Sequence, residues 1–94
     1  MQIEQRRKTE LEEINKLEQI SDEWLRAENI RSFVNALEAR LNNGQFAESH
    51  QRVESLIKWA REKADWLDPF VIYEDELLGK KQILAELVNM QMNE

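Results

Sequence analysis

The chain has 94 residues, with 13 Lys and Arg against 19 Asp and Glu and a formal charge of −6. That length holds one core, burying roughly 60–65% of the unfolded surface, so a single domain over residues 1–94 is expected and a large substrate cavity is excluded. The charge repels a long polyanion such as DNA, and the absence of cysteine removes disulfides and thiolate metal sites.

Two glycines and one proline among many Glu, Leu, Lys, Ala and Gln predict an all-α fold. The first ten residues, MQIEQRRKTE, hold no apolar core of a signal peptide. No run approaches the roughly 18 apolar residues of a membrane span. The expectation is a cytoplasmic protein without membrane contact.

Residues 2–42 read as helix. Leu11, Ile14, Leu17 and Ile20 step by three, so their apolar direction rotates about the axis. From Ala27 the stripe tightens through Ile30, Val34, Leu37 and Leu41. The change falls near Ser21-Asp22-Glu23, which has the serine and early acids of a helix start. A break at Ser21 is preferred over one continuous helix, with residues 1–20 protruding or continuing a longer helix. Asn42-Asn43-Gly44 is a helix stop, and Phe46 is placed to staple the next helix.

The strongest pattern lies at residues 46–69. Phe46, His50, Val53, Ile57, Ala60, Ala64 and Leu67 line one helical face, and Asp68-Pro69 ends it. Trp59 and Trp66, seven apart, widen the apolar arc to roughly 160°, against the usual 100° or so. Phe70-Val71-Ile72-Tyr73 favours strand locally, but no pairing strand is evident, so residues 69–78 are read as a short helix capped by Asp68 and Pro69. Lys81 to Met92 forms a last helix with Ile83, Leu84, Leu87 and Val88 inward. Short connections then predict a small antiparallel bundle of three to five helices with an extended N-terminal helix.

No chemistry-bearing motif emerges. His50 is the only histidine and is read as a core or rim residue, with no acid or serine spaced as a catalytic partner. Glu74-Asp75-Glu76 point in different directions on a helix and read as a solvated acidic face. Arg6-Arg7-Lys8 is a basic run embedded in acids. Acids precede bases by four at Glu12/Lys16, Asp22/Arg26, Glu48/Arg52 and Glu54/Lys58, which supports exposed helix. An enzyme is not expected, nor any cofactor, metal or catalytic residue.

WAREKADWLDP at 59–69, EDELLG at 74–79 and WLRAENIRSFVNALE at 24–38 resemble segments near the C-terminal ends of larger, mostly uncharacterised bacterial proteins, some linked to mobile elements or phage defence. The resemblance spans residues 24–79. It implies a helical C-terminal domain excised from such a protein, with Met1 added, and supplies no catalytic residue.

The expected function is a non-catalytic domain for protein–protein contact or oligomerisation, bound to a protein partner or to itself as a homodimer. Trp24, Phe33, Trp59, Trp66, Leu11, Ile14 and Leu17 are the expected anchors, because exposed aromatic and aliphatic side chains left over from a small core are typical interface residues. The first alternative is an acidic inhibitor or adaptor masking a basic nucleic-acid-binding partner. The second is a weak DNA-binding accessory domain using residues 24–33 or the N-terminal basic run.

Overall fold

The computed structural model describes residues 2–92. It is mostly helical, as expected, and the elements follow in the order α1 (Gln2–Asn42), a 3-10 turn (Ala47–Ser49), α2 (His50–Leu67), β1 (Glu74–Asp75), β2 (Gly79–Lys80) and α3 (Ile83–Met92). The 41 residues of α1 span about 62 Å at 1.5 Å per residue, which accounts for a molecule of 66 × 22 × 17 Å. Among the described residues no helix is long and apolar enough to cross a membrane.

The expected break at Ser21 does not occur. The Ser21 hydroxyl donates back to the Glu18 carbonyl at 3.1 Å instead of capping the amides ahead of it. Helix continuity is reinforced by a strict repeat of seven: Glu13, Ile20, Ala27, Val34 and Leu41 are all buried along one line. A seven-residue repeat is the spacing of a coiled-coil seam. The expected stop is present in full. Gly44 sits at φ +90°, its amide donates to the Leu41 carbonyl at 3.1 Å, and the Gln45 amide reaches the Arg40 carbonyl at 3.1 Å. That paired bonding satisfies the last carbonyls of α1 and reverses the chain.

α2 packs on the C-terminal half of α1. Arg31 meets Asp65 and Asp68 while Glu38 meets Arg61, so the pairings run in opposite sequence directions. Val34, Leu41 and Ile57 form the core, with Ile30, Leu37, Val53 and Ala60 against it. Ala27 and Ala64 are fully buried. His50 does not join the core. It opens α2 past the end of α1's buried line, and its half-exposed ring places Nδ1 3.4 Å from the Glu54 carboxylate. Phe46 is also exposed, at a left-handed φ of +67°.

The short helix expected at 69–78 is absent. Asp68 caps the Phe70 amide as a helix start would, but Asp75 then captures amides that a helix would bond to the Tyr73 and Glu74 carbonyls. Asp68 accepts from the Phe70 amide at 2.8 Å, and Asp75 accepts from Leu77 at 2.8 Å and Leu78 at 3.0 Å. The chain instead makes a small antiparallel ladder, Glu74 opposite Lys80 and Asp75 opposite Gly79. So pairing does exist, at Glu74-Asp75 rather than along the β-branched run. A ladder this small needs outside support. It comes from α2, whose Trp66 indole donates to the Gly79 carbonyl at 2.9 Å and whose Lys63 ammonium bonds Asp75.

α3 lies against the N-terminal half of α1. Leu87 is buried, Ile83 and Leu84 are half-buried, and Val88 is exposed rather than inward. The contact is largely polar: Lys81 pairs with Glu23, Lys16 lies 3.9 Å from Glu86, and Gln91 donates to Glu13 at 3.0 Å. Lys81 also lies over the Trp66 ring, 4.8 Å from its centre.

Candidate protein-interaction surface

The pair formed by α1 and α2 has two unlike sides. On one, Arg31 forks between Asp65 at 2.9 Å and Asp68 at 2.7 Å and also reaches Glu28 at 3.3 Å. These carboxylates hold its guanidinium well above its usual pKa. Further along, Arg61 grips both oxygens of Glu38 and reaches Asn35. Among the described residues the other side carries no arginine–carboxylate network. There Ile30, Phe33, Leu37, Leu56, Trp59 and Ala60 border an open groove of about 410 Å³ whose exposed lining is almost wholly apolar. Phe33 is 65% exposed and Trp59 55%.

This division follows from helix geometry. Residues 30, 33 and 37 flank the Val34 line on one side and 31, 35 and 38 on the other. On α2, residues 56, 59, 60 and 63 flank Ile57 on one side and 54, 58, 61 and 65 on the other. Apart from Lys63, apolar identities sit on the first set, and charged ones with Asn35 sit on the second.

Lys63 closes one end of the groove. Its ammonium lies 5.9 Å from the Trp59 ring centre and bonds Asp75. Asp75 is buried, not part of a solvated acidic face. Lys63 and the amides of Leu77 and Leu78 hold its carboxyl down to a pKa of about 2. The group is depressed in the fold, so its stabilisation is complete above the ordinary carboxylate range near 4. It is lost as pH falls from about 4 through about 2. Amide hydrogen exchange is expected to show Leu77 and Leu78 losing protection across that window while core amides of α2 keep theirs. In Asp75→Ala, which has no side-chain acceptor, the same two amides lose protection at neutral pH.

The anchors expected from sequence divide into groups. Phe33, on α1, and Trp59, on α2, both border the groove. Trp66 does not share their surface: its N–H is engaged by the Gly79 carbonyl and Lys81 lies over its ring. Trp24 is 41% exposed and sits beside the Arg31 side of α1. Leu11, Ile14 and Leu17 are exposed on the N-terminal half of α1. Sequence reasoning missed Leu56 as a groove residue, although its position three before Trp59 carries that information. It also missed Phe70, Ile72 and Leu77, which lie in the segment read as a short helix and which the turn leaves largely exposed. Asp22 and Arg26 form the expected pair at 3.2 Å, but Lys16 turns to Glu86. No family model, curated protein or solved structure matches this chain. Among the described residues no group of three or more His, Cys, Asp or Glu is disposed to hold a metal ion.

Proposed function

We propose that the chain is a non-catalytic helical interaction module, an α-helical hairpin that docks a protein partner in the groove between Phe33 and Trp59. The observation that carries this reading is the contrast between the two sides of one helix pair: arginine–carboxylate pairs on one, bare aromatic and aliphatic side chains on the other. Exposed Trp and Phe in a concave apolar setting are the residues that anchor interfaces. An amphipathic helix offering apolar residues at i, i+3 or i+4, and i+7 fits a groove of this kind. Masking of a basic partner has less support, since Glu28, Glu38, Asp65, Asp68 and Asp75 are engaged by the chain's own Arg31, Arg61 and Lys63.

The test uses the full chain as bait with two variants. Phe33→Glu with Trp59→Glu changes the groove, and Arg26→Glu changes an exposed position elsewhere on α1. A partner bound by the native chain and by Arg26→Glu, in saturable titration, is expected to lose at least about a hundredfold in affinity for the groove variant. Equal binding by all three chains, or no saturable partner, sinks the reading.

A further inference from the structure

The N-terminal half of α1 is patterned inside out. Its inward line carries Glu13, Lys16, Ile20 and Glu23, whereas its outward side carries Ile3, Leu11, Ile14, Leu17 and Leu25, all exposed. Leu11, Ile14, Glu18, Ser21 and Leu25 follow alternating steps of three and four, the spacing of a second coiled-coil seam. Along that seam lie two shallow hollows, one bounded by Glu4, Arg7, Lys8 and Leu11 and the other by Glu18, Ser21, Asp22 and Leu25. Each is a set at i, i+3, i+4 and i+7, the shape that receives a knob from a facing helix. The first contains two cations and one acid, the second two acids and no cation.

We infer that this outward seam joins a second copy of the chain in an antiparallel two-stranded coiled coil. The pairing of Arg7 with Glu18 selects the direction. With Leu11 facing Ile14 of the second copy, Arg7 faces Glu18 of the second copy, and two-fold symmetry repeats both contacts. A parallel copy would set Arg7 against Arg7 and Glu18 against Glu18, which is unfavourable. In this register the copies overlap from Ile3 to Asp22, about 29 Å or somewhat under three heptads, with Glu4 facing Ser21 and Leu25 just beyond the overlap. The seam lies across α1 from α3 and on a different face from the groove at Phe33 and Trp59, so the two contacts stand or fall separately. The net charge of −6 on each copy opposes association at long range, which salt near 0.15 M screens beyond about 8 Å.

Sedimentation of the full chain over a concentration series at that salt tests it. A monomer–dimer equilibrium is expected. Ile14→Glu removes two apolar contacts per dimer and is expected to weaken it about a hundredfold. Arg7→Glu weakens it about tenfold, and adding Glu18→Arg to Arg7→Glu restores it, because the reversed pair is again complementary in the antiparallel register. These positions are exposed, and an unchanged helical circular-dichroism signal identifies folded variants. A chain monomeric at high micromolar concentration overturns the inference. So does a dimer indifferent to Ile14→Glu, or one that Glu18→Arg fails to restore.

Discussion

Ile57→Ala is expected to cost about 2–3 kcal/mol in equilibrium unfolding, against roughly 5–14 kcal/mol available to a domain of this length. Ile57 is one of three buried side chains at the centre of the core, touching the cluster of Val34 and Leu41 between two helices. Alanine there loses the transfer free energy of the removed methyl groups and leaves a cavity. The lower part of the usual range applies because the core is one helix pair thick and its rim collapses easily. Phe33→Ala is the contrasting case. It removes a larger side chain from the residue next to Val34 on α1, yet at 65% exposure it is expected to shift stability by no more than about 0.5 kcal/mol. Urea titration of both variants by circular dichroism checks the contrast. A Phe33→Ala loss comparable to that of Ile57→Ala would mean that Phe33 serves the fold.

Arg31→Met is expected to cost about 2–3 kcal/mol, more than any other single charge deletion on the polar side of the pair. The Asp68 side chain is 7% exposed, and Arg31 is the cation that meets it. Removing one member of a buried pair leaves the other charge in a poor environment, at about 3–5 kcal/mol for full burial. Arg31 itself is 28% exposed, so the effect falls short of that. Arg31→Lys is expected to fall between Met and native, because a single ammonium cannot fork between Asp65 and Asp68 as the guanidinium does. Asp65→Asn is expected to be milder, since that side chain is 46% exposed. The ordering Met, Lys, Asn by thermal or urea unfolding tests the geometry directly.

What could be read from residues alone divides along physical lines. Ala27 to Leu41 and Val53 to Leu67 were legible because each places apolar side chains on one stripe, and the buried positions fall on those stripes. Asn42-Asn43-Gly44 was legible because a left-handed residue is needed to end the helix and glycine supplies it. Ser21 misled because a serine that caps and a serine that bonds back to residue i−3 look identical in sequence. Residues 69–78 misled because their conformation is set by contacts distant in sequence. Trp66 and Lys63 reach across to Gly79 and Asp75, and the Asp75 side chain replaces the backbone partners that Leu77 and Leu78 would have in a helix. Of the anchors, the exposure of Phe33 and Trp59 on opposing helices requires the register between α1 and α2, which no local pattern contains. The outward step of Leu11, Ile14 and Leu17 was visible as a rotating apolar direction. The polar character of the line facing α3 emerged only once the position of that helix was known.

Fluorine NMR of the chain carrying fluorotryptophan, titrated with its captured partner, tests the docking groove most directly, since Trp24, Trp59 and Trp66 each give one resonance. The Trp59 resonance is predicted to shift and to lose its solvent-isotope response at saturation, while Trp66, half-buried away from the groove and bonded to Gly79, stays in place. A Trp59 resonance that remains fully water-sensitive with the partner saturating would contradict the account.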